Sequence, residues 1–128
     1  MSTEQNKAVL RRWMEGWSTR SMSVMEPLVD EIFTADFTIH DKGQPAAPVG
    51  REGVKQFVRD ALKNTPDIHV ATEDMIAQGD RVAWRGAVSG TDVSTGKPTR
   101  LLIIEFYRFA GGKIAEGWSI DVQAEPQA

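Results

Sequence analysis

Apolar residues recur at helical spacing in the N-terminal half of the chain. Ser2 followed by Gln5 has the form of a capping box and predicts the start of a first helix. Ser23 with Glu26, followed by Pro27, predicts the start of a second helix. Spacings of three and four mark the inward faces of three helices: Val9, Leu10, Trp13, Met14 and Trp17; then Met25, Leu28, Val29 and Ile32; then Val54, Phe57, Val58, Ala61 and Leu62. These patterns predict three amphipathic helices, with a short β-prone run at 37–40 before the third.

The C-terminal half changes to the alternating pattern of strands. Four runs (68–78, 81–91, 101–109 and 113–122) are separated by Gly- or Pro-containing turns. Helices followed by an antiparallel meander predict an α+β fold. We expect one domain over 1–128: a mainly helical part (1–66) with one short strand, the meander (67–122) and a tail (123–128).

The first predicted hairpin defines a register. The two-residue turn Gly79-Asp80 sets Gln78 opposite Arg81, and Met75 then lies opposite Trp84. In this register the side chain of Thr72 points away from the face that carries Trp84. Neither face of the hairpin is cleanly polar, so we expect both to be covered. The helices cover one face, and a second copy of the chain, in a homodimer formed through the sheet, covers the other.

Composition excludes several classes of protein. Fifteen Lys and Arg against eighteen Asp and Glu give a net charge of −3, which argues against nucleic-acid and anionic-membrane partners. The chain has no cysteine, which excludes disulfides, thiolate catalysis and zinc–thiolate sites. No apolar run is long enough to span a bilayer, and no apolar run follows the first seven residues as in a signal peptide. We therefore expect a cytoplasmic protein.

Four segments together carry a family likeness. They are Asp36-Phe37-Thr38-Ile39-His40-Asp41, Gly50-Arg51-Glu52-Gly53-Val54, Gly79-Asp80-Arg81-Val82, and the stretch from Tyr107 through Gly111-Gly112-Lys113-Ile114 to Trp118 and Asp121. In this order they resemble the SnoaL-like polyketide cyclases, of the cone-shaped α+β fold of the nuclear transport factor two class. The resemblance implies a cone-shaped α+β barrel, in which a curved antiparallel sheet is wrapped around the N-terminal helices and encloses an apolar pocket. Cyclases, isomerases, epoxide hydrolases, dehydratases and non-catalytic binders share this fold, so the fold alone does not decide the function.

The resemblance points to Asp121 as the catalytic acid/base. A carboxyl group enclosed by apolar side chains has a raised pKa, and it can then remove a proton from a carbon acid near neutral pH. Tyr107 stands where family cyclases carry a histidine, and Gly117 stands where relatives often hold another. Tyr107 has the same parity as Asp121 and is expected to hydrogen-bond a developing oxyanion.

Other residues complete the expected site. His40 ends the predicted first strand and is a second catalytic candidate, as a substrate-orienting or proton-shuttling group. Glu105 interrupts an apolar run and is expected either to line the pocket or to meet a cation such as Arg85. The indoles of Trp13, Trp17, Trp84 and Trp118 are expected to bind a flat, hydrophobic substrate.

The leading hypothesis is a cofactor-independent cyclase that closes a ring by an intramolecular aldol step. The sequence has no Arg-x-Asp pair of the epoxide hydrolases and no phosphate-binding glycine motif, so no nucleotide cofactor is predicted. His40 and His69 are too far apart for a local metal motif, and no metal is predicted. A non-catalytic small-molecule binder, or an isomerase or dehydratase that uses the same carboxylate, remain as alternatives.

Overall fold

Three helices precede most of the sheet. The structure is a computed structural model that describes residues 2–125. Helix α1 (Thr3–Gly16) continues into a 3₁₀ turn (Trp17–Thr19), and α2 (Met22–Ile32) and α3 (Gly50–Asn64) follow. The Ser2–Gln5 capping box is present: Gln5 N donates to Ser2 Oγ at 3.1 Å, and Ser2 N donates to Gln5 Oε1 at 2.8 Å. This reciprocal cap satisfies two backbone donors at the start of α1.

The second helix starts two residues earlier than the sequence pattern predicts. Ser21, not Ser23, is the N-cap, and its carbonyl accepts from Met25 N at 3.0 Å. Pro27 consequently lies inside the helix. In α3 the prediction that Phe57 faces inward is wrong. Its side chain is 65% exposed and meets Trp17 edge-on, with 6.3 Å between ring centroids.

Six strands form one curved, unclosed sheet. They are β1 (Phe33–Asp41), β2 (Ala47–Pro48), β3 (His69–Gln78), β4 (Arg81–Asp92), β5 (Lys97–Ala110) and β6 (Lys113–Gln123), in the order β2-β1-β6-β5-β4-β3. The predicted α+β class is confirmed, but the sheet is mixed, because β1 runs parallel to β6. The first strand is also longer than predicted, since it begins at the buried residue Phe33, and the helical part holds a second, two-residue strand. The predicted tail ends outside the described residues, at 126–128.

The β3–β4 hairpin has the predicted register near its turn and departs from it further along. Met75 lies opposite Trp84 as expected. A bulge at Glu73 then shifts the pairing, so that Thr72 lies opposite Gly86. This corrects the expectation for Thr72, which shares the face of Trp84 and accepts a hydrogen bond from Trp84 Nε1 at 2.9 Å. An extra residue in one strand reverses the side-chain alternation beyond it.

The two faces of the sheet differ in what covers them. The inner face packs against the helices and carries buried residues of the core: Val82, Trp84, Tyr107 and Phe109. The outer face carries exposed apolar side chains: Leu102, Ile104, Phe106, Ile120 and Val122. The faces alternate along β5, so every second residue of that strand belongs to the same environment. This alternation decides which polar residues meet in the candidate site.

Candidate functional site

Four polar side chains meet on the inner face of β5 and β6. Tyr107 lies opposite Gly117, Glu105 opposite Ser119, and Ile103 opposite Asp121. Directly opposed residues share a face, and so do residues two apart on one strand. Glu105, Tyr107, Ser119 and Asp121 therefore form one group, which we call the inner polar cluster. The sequence expectation that Tyr107 and Asp121 share a face is confirmed by this register.

Glu105 is the most perturbed acid in this cluster. Burial of its carboxyl group raises its pKa from 4.5 to about 7, and the charges of Asp121 and Asp41 act in the same direction. Hydrogen bonding to Tyr107 and Ser119 opposes the rise. Desolvation is the largest cause, because a low-polarity environment disfavours the charged form. The expected partnership with Arg85 is not formed, since Arg85 pairs with Glu73 at 2.7 Å.

Asp121 has a different environment from its neighbour. Its side chain is 21% exposed, and its Oδ1 lies 3.4 Å from Lys42 Nζ. Lys42 follows β1 and adopts a left-handed backbone conformation (φ 51°), at the point where the chain turns away from the sheet. Lys42 N donates to the Ser119 carbonyl at 2.8 Å, which ties this turn to β6. The end of β1 thus supplies a cation directly to the candidate acid/base.

Tyr107 and Gly117 are coupled by packing. The phenol ring lies across the Gly117 backbone, and a Cβ placed on Gly117 would come within 3.2 Å of two ring carbons of Tyr107. Tyr107 is 5% exposed, and burial raises its pKa well above 10. The hydroxyl group therefore stays a neutral hydrogen-bond donor and acceptor. The two positions at which the chain departs from the family pattern are thus in direct contact.

His40 and Trp118 lie on the other face of the sheet. His40 lies opposite Trp118 in the parallel β1–β6 pair, and the two rings stack with 4.8 Å between centroids. His40 Nε2 lies 2.7 Å from Glu116 Oε2, and Arg108 Nε donates to Glu116 Oε1 at 3.0 Å. These hydrogen bonds, that from His40 first, lower the pKa of Glu116. This outer cluster corrects the expectation that His40 joins Asp121, because the sheet separates the two side chains.

Three of the tryptophans belong to the core. Trp13, Trp17 and Trp84 are 4%, 6% and 2% exposed. Trp13 packs edge-on against Trp17 and Phe33, with centroids 5.9 Å and 4.9 Å apart. These indoles fill the space between helices and sheet, whereas an open wall for a flat ligand would leave the rings accessible. Contact of a ligand with them stays a prediction.

Two surface grooves lie away from the inner polar cluster. One, of about 510 Å³, lies between α1 and α2 and is lined by residues that include Gly16, Pro27 and Leu28. The other, of about 260 Å³, is lined by residues that include Asp67, Thr91 and Arg100. Neither is lined by Glu105 or Asp121. The pocket predicted inside the cone stays a prediction, and the partial exposure of Asp121 marks where the cluster meets solvent.

The part of the chain that the structure describes holds neither a metal-binding cluster nor a membrane-spanning helix. Within 2–125, no group of three or more His, Asp and Glu side chains is arranged to hold a metal ion. Over the same residues, no helix is both long and apolar enough to cross a membrane.

Sequence reasoning missed three residues next to the site. Ser119 contacts Glu105 across the β5–β6 pair, Lys42 pairs with Asp121, and the Asp41 charge acts on Glu105. Ser119 could have been predicted, because it lies two residues before Asp121 on one strand and alternate residues of a strand share a face. Asp41 and Lys42 depend on the long-range pairing of β1 with β6, for which the sequence holds no local signal.

Comparison with solved structures shows the same fold in several proteins. A SnoaL-like polyketide cyclase from Agrobacterium tumefaciens str. C58 superposes with a TM-score of 0.77 at 16% identity, over 95% of this chain and 93% of that one. An NTF2-like protein of unknown function from Burkholderia pseudomallei K96243 gives 0.75 at 20%, over 94% and 91%. A hypothetical protein with a ketosteroid isomerase-like fold from Catenulispora acidiphila DSM 44928, in complex with trimethylamine, gives 0.72 at 18%, over 88% and 83%.

Sequence comparison assigns the family. No curated protein sequence matches the chain. The family model of the SnoaL-like domain matches residues 10–117, which include all three helices in part or whole and the first five strands. The resemblance stated above is confirmed, and the chain belongs to the SnoaL-like domain family.

Proposed function

We propose that this protein is a cofactor-independent cyclase that acts on a hydrophobic, enolisable, polyketide-like substrate, with Asp121 as the base. The observation that carries the proposal is the position of Asp121: on the inner face, partly exposed, paired with Lys42 and beside Glu105 and Tyr107. A partly exposed carboxylate on this face can reach a substrate from solvent. The apolar side chains of Ile103 and Ile39 flank the cluster on the same face and suit a hydrophobic ligand.

The proposed reaction begins with proton removal from carbon. A carboxylate oxygen of Asp121 takes the proton of a carbon between two carbonyl groups, and the electron pair of the C–H bond becomes an enolate. The enolate carbon attacks a second carbonyl carbon of the same molecule, so a C–C bond forms and the C=O π bond becomes an alkoxide. Protonation of the alkoxide completes an aldol product that is an isomer of the substrate. Holding both carbonyls together contributes by lowering the entropic barrier to ring closure.

A two-readout assay tests the proposal. The probe is an aryl β-keto ester with an acylmethyl group at the neighbouring ring position, which can lose an α-proton and then close a six-membered ring. Deuterium uptake from D₂O reports proton removal, and chromatography of the product reports ring closure. The wild-type protein should accelerate both, and Asp121→Asn should lower both by roughly 10²–10⁴-fold, the usual contribution of acid–base catalysis.

The matched control is Asp36→Asn, an exposed carboxylate on β1 outside the cluster. It should leave both rates unchanged. A wild-type protein that binds the probe without accelerating either step would support a non-catalytic binder and contradict the proposal. Proton exchange that depends on Asp121 with no ring closure in the wild type would favour an isomerase that uses the same carboxylate.

The outer face supports a proposed homodimer through the sheet. Ile104, Ile120 and Val122 are 60%, 63% and 58% exposed, and Phe106 is 42% exposed beside them. These side chains alternate on two neighbouring strands and form one contiguous apolar surface. Exposed apolar surfaces of this kind are usually interfaces. A second copy of the chain would bury it and leave the inner polar cluster of each copy open to substrate.

Sedimentation velocity over a range of protein concentrations tests the dimer. Ile104→Lys should shift the wild-type dimer towards monomer, because a charge would then be buried at the interface. Val93→Lys is the control, since Val93 is 57% exposed in the loop after β4 and outside the outer face. A wild type that sediments as a monomer at all concentrations contradicts the dimer.

A further inference from the structure

Glu105 is a carboxyl group that the reaction above does not use. It lies on the inner face between Tyr107 on its own strand and Ser119 on the neighbouring strand. Within residues 2–125 it has no Lys or Arg at ion-pair distance: Lys42 pairs with Asp121, Arg85 with Glu73, and Arg108 with Glu116. Glu105 is thus an acid with hydroxyl neighbours and no cation.

A purely structural role accounts poorly for this arrangement. The residues directly before and after Glu105 in the chain are apolar. Ile103, which shares the inner face with Glu105, is packed against the core. Burying a carboxyl group without a cation costs stability, and an apolar residue at 105 would avoid that cost. Polar groups kept at a stability cost in a site are candidates for function.

We propose that Glu105, in its protonated form, is the proton donor of the ring-closing step, while Asp121 is the base of the first step. This inference rests on the function proposed above. The two carboxyls share the inner face at diagonal positions of the β5–β6 pair, since Asp121 lies opposite Ile103 and Glu105 opposite Ser119. Diagonal positions of neighbouring strands lie about 7–8 Å apart. A substrate held between them can therefore offer its acidic carbon to one carboxyl and its carbonyl oxygen to the other.

The proton balance closes over one turnover. Asp121 gains the proton that leaves the substrate carbon, and Glu105 loses its proton to the new alkoxide. Asp121 is then protonated and Glu105 ionised, the reverse of the starting state. Transfer of one proton from Asp121 to Glu105, through water at the exposed side of Asp121, restores both groups. The product is an isomer of the substrate, so no oxidant, reductant or co-reactant is needed.

Tyr107 acts as a positioning residue for Glu105. Its ring packs against the Gly117 backbone, and it lies two residues from Glu105 on the same face of β5. The phenol group is a hydrogen-bonding neighbour that opposes the rise in the pKa of Glu105. Because the pKa of Tyr107 lies well above 10, the phenol keeps its proton while the carboxyl changes state. A neutral donor to one carboxyl oxygen leaves the other oxygen, with its proton, for the substrate.

The assay with the aryl β-keto ester separates this inference from the proposed function. Glu105→Gln keeps the shape and a hydrogen-bond donor but carries no transferable proton. It should lower ring closure by roughly 10²-fold while deuterium uptake continues at close to the wild-type rate. Asp121→Asn should lower both. Tyr107→Phe should lower ring closure less than Glu105→Gln and should shift the pH at which ring closure declines.

The variants test the role of Glu105 and the role of Asp121 separately. Ring closure by Glu105→Gln at the wild-type rate, with Asp121→Asn inactive, would overturn the role of Glu105 and leave the role of Asp121 intact. Loss of neither activity in Asp121→Asn would overturn the proposed function itself. Circular dichroism of each variant shows whether it is folded. A folded Glu105→Gln variant that loses deuterium uptake and ring closure equally also overturns the division of roles.

A second measurement needs no substrate. Difference infrared spectra of the wild type between pH 5 and pH 9 should show a protonated carboxyl that titrates near its pKa of about 7 and is missing in Glu105→Gln. The groups that face Glu105 are Asp41, Lys42 (through Asp121), Tyr107 and Asp121, and comparison with the Glu105→Gln spectrum assigns the signal to Glu105. The pH profile of ring closure should decline above the same pH in the wild type. A wild-type spectrum without this band at pH 5 and 6 contradicts the inference.

Discussion

Glu105 and Glu116 lie on neighbouring strands and on opposite faces of the sheet, and their environments are opposite as well. Glu105 is half-buried between the hydroxyl-bearing residues Tyr107 and Ser119, and desolvation of its carboxyl group raises its pKa to about 7. Glu116 accepts hydrogen bonds from His40 and Arg108, and its pKa falls below 4.5. Both residues are glutamates, so the difference in pKa comes from their surroundings. Desolvation is the largest cause of the rise at Glu105, whereas hydrogen bonds from His40 and Arg108 cause the fall at Glu116.

The two faces of the sheet place their charged groups in different environments, one suited to stability and the other to proton transfer. On the outer face, the charges beside Trp118 have partners: Glu116 has two donors, and Arg81 lies over the Trp118 ring at 5.5 Å. Such pairs hold strands together and favour one charge state. On the inner face an acid without a cation can change charge state near neutral pH, which is what proton transfer requires. Four substitutions test this contrast, in order of decreasing expected effect.

Trp84→Ala should cost the most stability. Trp84 is 2% exposed in the core, and its removal leaves a cavity as well as an unpaired Thr72 hydroxyl. We expect a loss of about 3–5 kcal/mol in the free energy of unfolding, measured by urea denaturation. Trp118→Ala on the outer face should cost only about 1 kcal/mol, the size of an aromatic pair contribution. Equal losses at the two positions would contradict the assignment of inner face as core and outer face as surface.

Glu105→Gln should make stability less dependent on pH. In the folded protein the pKa of Glu105 is raised to about 7, so the unfolded chain releases the proton first as the pH rises from 4.5. The wild type therefore loses stability between pH 4.5 and about pH 7, by at most about 3 kcal/mol. The variant should be more stable than the wild type at pH 8 and no more stable at pH 4.5, by urea denaturation at each pH. Glu26→Gln on α2 is the control, and an unchanged pH dependence in Glu105→Gln contradicts the raised pKa.

Glu116→Gln should act with the opposite sign. The lowered pKa of Glu116 contributes stability that is present above 4.5 and is lost as the pH falls through the lowered value. At neutral pH the variant should be less stable by about 1 kcal/mol, as expected for a partly exposed ion-pair network. The difference from the wild type should shrink as denaturation is repeated at successively lower pH below 4.5. A difference that stays constant over that range would show that the loss comes from packing.

Arg81→Met should have the smallest effect. The substitution keeps the apolar stem and removes the guanidinium from the face of Trp118. We expect a loss of about 0.5 kcal/mol in the free energy of unfolding, together with a change in tryptophan fluorescence. Arg85→Met, which removes the exposed pair with Glu73, is the control and should leave the fluorescence unchanged. A fluorescence change in both variants would contradict the specific contact of Arg81.

Local patterns were sufficient to predict the three helices, the four strands of the C-terminal half and the shared face of Glu105, Tyr107 and Asp121. These follow from spacing and alternation, which depend on residues near each other in the chain. The position of His40 could not be predicted in this way. It depends on the parallel register of β1 with β6, which joins residues about eighty positions apart. The bulge at Glu73 also could not be predicted, because β3 contains no residue type, such as glycine, that indicates a bulge.

The contact between Tyr107 and Gly117 limits how the site can change. A Cβ at 117 would lie 3.2 Å from two carbons of the phenol ring, so the ring would have to move by a few tenths of an ångström unless residue 107 also became smaller. Replacement of Gly117 by histidine while Tyr107 is still in place would therefore be strained, whereas replacement of Tyr107 first would not. A library intended to convert this site into one with histidines should vary 107 and 117 as a pair. A screen of position 117 alone, with Tyr107 in place, would select against side chains that fit once residue 107 is smaller.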